Sequence, residues 1–255
     1  MIMRRLISYA TICLAVLVAG TSAKAAGFND EQRNEIGSIV REYLLNNPEL
    51  LREVLQELEK KEAADGSAKQ KVSIKENADQ IFRSSLDLVA GNPNGKVTMV
   101  EFFDYNCGYC KRAMDDMNAL LKADRNLKVI LKEFPVLGPG SLEAAKVSTA
   151  VRIQDKTGKK YLDFHQRLMG GRGQADKARA LAAAKDAGFD VAKLEKDLES
   201  EEVKASLAES FKLAQALGLN GTPSYVIGDK VIIGAVGLEA LQEGINTARC
   251  GKPTC

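Results

Sequence analysis

The sequence predicts an α/β domain that carries a helical insertion and is preceded by a helical arm. Three observations carry that prediction. Residues 97–134 read strand–helix–strand. Residues 141–217 read almost wholly helical. Two short strands and a last helix then close the chain.

The chain has 255 residues, enough for one good-sized domain with additions. Hydrophobic residues make up 45%, which suffices for a packed core. Aromatics are few and Trp is absent, which argues against carbohydrate-binding or base-stacking surfaces. Residues 1–25 read as an export signal. Arg4 and Arg5 form a basic start, Ile12 to Ala19 is apolar, and Ala23-Lys24-Ala25 places small residues two apart before cleavage. An uncleaved anchor is the alternative, but the apolar run falls short of the roughly 20 residues a span needs. Cys13 lies within the run and receives no role. The signal carries Arg4, Arg5 and Lys24 and no acid, so the formal charge falls from +2 to −1 without it. No basic patch or stripe points to nucleic acid. Export implies a compartment where disulfides form and persist, the periplasm. Four cysteines then remain: Cys107, Cys110, Cys250 and Cys255.

Residues 28–62 read as an amphipathic helical arm. Asn29 and Gln32 have capping-box spacing, and Ile36, Ile39, Val40, Tyr43, Leu44 and Leu45 follow. Asn47-Pro48-Glu49 reads as a break and restart. Positions 40, 44, 47, 51, 54 and 58 alternate spacings of four and three, which is coiled-coil phase, although Asn47 and Pro48 interrupt it. Such a stripe packs either on its own domain or on another copy. Residues 63–75 read as a linker or a weak helix. Ile74 to Val89 reads helical, and residues 91–95 as a turn. Val97–Phe103 is a doubly buried strand. A helix follows from Cys107, and Lys128–Phe134 is a second strand, which completes a βαβ unit. Ser224–Ile227 and Lys230–Ile233 flank Gly228-Asp229 as a hairpin, and Gly237–Ala248 is the last helix.

The chemistry concentrates at Cys107-Gly108-Tyr109-Cys110, where a strand hands over to a helix. A helix N-terminus offers free N–H groups and a positive dipole end, so a thiolate on Cys107 is stabilised there. Cys110, one turn further in, is the resolving thiol, and the pair exchanges with substrates through a mixed disulfide. The competing readings are a half metal site, a structural disulfide or chance. A zinc site needs two further Cys or His ligands. His165 is the only histidine and lies far along the helical region, and the spacing of Cys250 and Cys255 is unusual for such a site. No metal and no organic cofactor is therefore expected. Glu101 lies within the strand between apolar neighbours. Buried, it would hold its proton more tightly and serve proton transfer; the alternative is a solvent-facing strand residue.

The run from Glu101 through Phe102-Phe103-Asp104-Tyr105-Asn106 to Cys107 and Cys110, with Gly221-Thr222-Pro223-Ser224 much later, resembles the DsbA-like thioredoxin superfamily. More closely it resembles the ScsC-type proteins of the suppressor-of-copper-sensitivity group. The resemblance implies a thioredoxin-like fold with a DsbA-type helical insertion at about 138–215. The arm and linker then occupy residues 26–75 and the catalytic domain residues 76–255. It implies that Pro223 is a cis-proline facing the cysteines, that the Thr222 backbone pairs with a bound peptide, and that Glu101 is the buried acid. Gly108 and Tyr109 between the cysteines, with Thr222 before the proline, resemble disulfide isomerases and reductases such as the DsbC type. ScsC-type relatives oligomerise through their arm. An isomerase needs Cys107 reduced, hence a membrane electron donor of the DsbD or ScsB type.

Cys250 and Cys255 read as a small tail disulfide, with free thiols or a second redox pair as alternatives. The expected function is disulfide isomerisation or reduction in exported polypeptides by a homo-oligomer. The alternatives are a DsbA-like oxidase, a periplasmic copper-binding or copper-tolerance protein holding Cu(I) on the same thiolates, and a non-catalytic surface protein.

Overall fold

The computed structural model describes residues 27–155 and 158–255. The expected export signal, residues 1–25, and Cys13 lie outside the described residues. The chain divides into two compact units, one ending at Lys60 and one running from Lys61 to Cys255.

In the first unit, α1 (Asp30–Asn46) opens on the expected capping box. The Asn29 side chain accepts from the Gln32 N–H at 2.8 Å, and Gln32 Oε1 accepts from the Asn29 N–H at 3.0 Å. Asn47 closes α1 on the Tyr43 carbonyl, and Pro48 starts α2 (Pro48–Glu76). Pro fits there because its missing N–H would have no helical partner. No residue from 27 to 60 is buried. Ile36, Ile39, Val40, Tyr43, Leu51, Val54, Leu55 and Leu58 are all exposed.

Residues 63–75, read above as a linker or weak helix, are helical throughout. Their later turns are fastened within the second unit. Gln70 donates to the Leu217 carbonyl at 3.2 Å, Lys71 pairs with Asp229 at 3.0 Å, and Ile74 is buried.

The helix expected through Val89 ends much earlier. After the short α3 (Ala78–Phe82), Leu88–Gly91 forms strand β1. Leu88 and Ala90 alternate inward as β1 pairs antiparallel with β3 (Leu127–Glu133). Sheet pairing here outweighs the local apolar pattern.

The sheet order is β1-β3-β2-β4-β5, with β2 (Val97–Phe103) central. β2 and β3 are parallel, as a helical crossover requires, and α4 (Gly108–Ala123) supplies it. β4 (Ser224–Ile227) runs antiparallel to β2, and β5 (Lys230–Ile233) antiparallel to β4. Gly228 turns that hairpin at φ 61°, a conformation side chains disfavour.

Five helices form the insertion: α5 (Pro139–Gln154), α6 (Lys159–Gly170), α7 (Lys177–Asp186), α8 (Val191–Asp197) and α9 (Glu201–Ala216). The last helix is α10 (Leu238–Cys250). Both sheet faces are covered. Met99, Phe103 and Tyr225 join α4 and α5–α8 in one core, and Val100, Phe102 and Val226 join Ile74, Ile81 and Leu213 in the other. A buried Lys132 ties the layers together by pairing with Asp87 at 2.6 Å and Glu209 at 3.4 Å.

Candidate active site

β2 delivers the chain to the site, and residues 104–106 turn it into α4. The Cys107 N–H bonds the Asp104 carbonyl at 3.0 Å, and Cys107 is the N-cap of α4 in an extended conformation. Cys107 and Cys110 are both free thiols and both buried. Cys107 is held well below the ordinary thiol range, at about 5. The Cys110 thiol donates to it, and the Thr222 side chain and the N–H groups of Cys110 and Tyr109 add to the effect, against an opposing effect of burial. The same bond acts in reverse on Cys110, which is pushed far up because its proton is held in the hydrogen bond it donates to the Cys107 sulfur and because it is buried. One sulfur is therefore suited to act as a nucleophile and the other to keep its proton, the division that exchange through a mixed disulfide needs.

Thr222-Pro223 is a cis peptide, as expected. In the thiol form, Cys107 Sγ donates to the Thr222 carbonyl at 3.1 Å. Glu101 is buried, and burial, with the Cys107 charge next, pushes its carboxyl up to about 8. The solvent-facing alternative is set aside. The structure thus gathers Cys107, Cys110, Glu101, Thr222 and Pro223 at one end of the sheet. Gly108 has open space where a side chain would stand. Tyr109 is 58% exposed at the lip, and the Arg112 guanidinium lies 4.5 Å from its ring centre. Cys250 and Cys255 are bonded to each other on the exposed tail.

Three residues of the site were not singled out from sequence. The buried Asp104 accepts N–H bonds from Asn106, Val136 and Leu137 at 2.8–2.9 Å. Asn106 bonds Ser141 and Ala175. Tyr225 stands directly opposite Glu101 across the β2–β4 ladder, and its buried hydroxyl meets no protein partner. The polar Asp-Tyr-Asn run before the motif was the available signal for the first two.

His165 is buried beneath the site and held neutral, at about 3, by loss of solvent. Its Nδ1 lies 3.1 Å from the Tyr105 hydroxyl. Among the described residues, no group of three or more His, Cys, Asp or Glu is placed to hold a metal ion.

The family model of the DSBA-like thioredoxin domain matches residues 98–246, spanning both cysteines and the cis-proline. The chain belongs to the DsbA-like thioredoxin family. This DsbA-like chain also matches the model of the copper resistance protein ScsC N-terminal domain over residues 32–65. It is 44% identical to a thioredoxin-like oxidoreductase from Silicibacter pomeroyi, covering 67% of this chain and 96% of that one at a TM-score of 0.64. It is 28% identical to a linker-deletion variant of Proteus mirabilis ScsC, covering 89% and 99% at a TM-score of 0.66. Among curated proteins, disulfide bond formation protein D of Bacillus subtilis is 27% identical over 177 residues, 64% of this chain and 78% of that protein. A Na(+)/H(+) antiporter NhaA of Salinispora arenicola is 25% identical over 167 residues, but this chain spans only 25% of its length. Among the described residues, no helix is long and apolar enough to cross a membrane.

Proposed function

We infer that this DsbA-like protein is a disulfide isomerase or reductase of exported polypeptides, acting in the periplasm as a homo-oligomer joined by its arm. The observation that carries the reading is the apolar stripe of the first unit, from Ile36 to Leu58, exposed to water in a single copy. A second copy would cover it in the manner of a coiled coil. The assembly would then present several Cys107 thiolates to one misfolded chain. An isomerase attacks a wrong disulfide, waits in a mixed disulfide, and leaves when a substrate thiol displaces it. Cys107 is suited to the attack because it is a thiolate at neutral pH. Cys110 resolves stalled intermediates, Glu101 takes and returns protons, and the Thr222 backbone with Pro223 aligns the peptide. Tyr109, Val136 and Leu137 expose apolar surface that suits an unfolded substrate. A membrane electron donor of the DsbD or ScsB type keeps the pair reduced.

Two other readings have an observation in their favour. The low Cys107 value stabilises the reduced form, which also suits a DsbA-like oxidase. The match to the ScsC N-terminal domain, whose name refers to copper resistance, favours copper handling, with Cu(I) on the two thiolates.

The test is reactivation of scrambled ribonuclease together with size in solution, on the chain from residue 27 and on a form beginning at Lys61. The cut falls at Lys61 because Ile74 is part of the second unit's core. Reactivation by an oligomer, lost in a monomeric short form, supports isomerisation. Rapid oxidation of reduced ribonuclease by both forms, without reactivation, establishes the oxidase instead. Stoichiometric copper on the purified reduced protein would favour the metal reading.

A further inference from the structure

The three residues before Cys107 all bond their side chains to the helical insertion or to the loop that leads into it. Asp104 accepts from the backbone N–H groups of Val136 and Leu137, both at 2.9 Å, in the loop that leads into α5. The Tyr105 hydroxyl lies 2.9 Å from Ser148 Oγ on α5, and 3.3 and 3.1 Å from Tyr161 and His165 on α6. Asn106 grips the loop before α7 in both directions. Its Oδ1 accepts the Ala175 N–H at 2.6 Å, and its Nδ2 donates to the Ala175 carbonyl at 2.8 Å and to Ser141 Oγ at 2.9 Å. From beyond the motif, Lys111 donates to the Gly171 carbonyl at 3.3 Å.

The seat of Asn106 is built closely. A Cβ on Gly140 would stand 2.9 Å from Gln174 Nε2 and 3.1 Å from the Ala175 carbonyl, so α5 meets this loop with no room to spare. The insertion therefore holds the backbone immediately before the nucleophile. That backbone sets where Cys107 Sγ lies relative to the Tyr109 and Cys110 N–H groups. Hydrogen bonds of this kind depend steeply on angle.

We propose that Asn106 is a positioning residue, through which the helical insertion aims Cys107 at the α4 N-terminus and so sets the stability of its thiolate. The Asn106 amide is taken up by Ser141 and Ala175, so it acts through Cys107. The inference rests on Cys107 being the redox nucleophile and is independent of whether the enzyme isomerises or oxidises.

The experiment follows the thiolate absorbance of the reduced full chain against pH and its dithiol–disulfide equilibrium with glutathione, in wild type and N106A. With the clamp gone, the titration midpoint should rise by about one unit, and the equilibrium should move about tenfold toward the oxidised protein. The two shifts must agree, because one unit and tenfold are the same free energy, about 1.4 kcal/mol. S141A removes a single bond of the clamp and should move both readouts the same way by less. Lys146→Ala removes a peripheral ion pair of the insertion with Glu199 and should move neither.

A folded N106A that melts lower, yet titrates and equilibrates as wild type does, overturns the proposal and leaves Asn106 a structural clamp. If N106A does not fold, an unshifted S141A overturns it equally. A wild type without a low-pH thiolate would instead strike at the nucleophile assignment itself.

Discussion

In the reduced protein, two buried acids at the site pull stability in opposite directions as pH changes. Cys107 falls from an ordinary 9.0 to about 5. Between those values the unfolded chain still holds the proton that the folded one has released. Stability therefore rises with pH across that window, by up to about 1.4 kcal/mol per unit, and is lost as pH falls through 5. Glu101 does the reverse. It rises from 4.5 to about 8, so the folded state keeps a proton the unfolded chain gives up, and stability falls with pH across that window. The two slopes oppose between pH 5 and 8. Glu101→Gln should remove the falling contribution of Glu101, and Cys107→Ser should remove the rising one of Cys107 and leave that of Glu101. The latter should be shallower, because the Cys107 charge that helps raise Glu101 is gone. Urea titrations of the reduced variants at several pH values check this, and pH dependences matching wild type in both variants would refute it. Cys107, Cys110 and Glu101 were legible in the sequence because a short local pattern carries them, and Pro223 only through the family resemblance. Asp104 and Asn106 were not, because their partners Val136, Ser141 and Ala175 lie some 30 to 70 positions away.

At the scale of elements, the buried Lys132 binds β3 to the segment before β1 and to α9 through Asp87 and Glu209. Asp87→Ala leaves the Lys132 charge in the core with only the more distant Glu209, and should cost about 3–5 kcal/mol. Changing both residues to apolar ones of similar size should cost far less, and equal losses in chemical denaturation would contradict this view of the pair. The tail disulfide closes a short loop, so Cys255→Ser should lower stability by no more than about 2 kcal/mol. It should also leave disulfide exchange unchanged, as measured on a peptide substrate. Most elements were legible: the capping box of α1, the restart at Pro48, the βαβ unit and the β4–β5 hairpin all have local signals. β1 was not, because Leu88 and Ala90 become strand residues only through pairing with Leu131 and Val129, some 40 positions later. The later turns of α2 were misjudged for a related reason. Their small and charged residues look like a linker, and contacts with Leu217 and Asp229, together with the burial of Ile74, fix them.

At the scale of the molecule, the division into two units puts the redox cysteines in one and the surface we propose for assembly in the other. The second unit holds every group of the redox site, whereas the first holds an exposed apolar stripe and, among its described residues, no buried one. Placing charge on that stripe, as in Leu51→Lys with Leu55→Lys, should yield a monomer by sedimentation that no longer reactivates scrambled ribonuclease. Its Cys107 should still react with small disulfides at the wild-type rate. An oligomer of unchanged size would count against the arm as the joining element. All of this depends on the unequal acidity of the two sulfurs. The most direct measurement is the rate of alkylation of each cysteine in the reduced protein as a function of pH, read by mass spectrometry. A single adduct on Cys107 with a midpoint near pH 5, and Cys110 unlabelled to high pH, is the expected result. Joint labelling of both cysteines with a midpoint near 9 would contradict it.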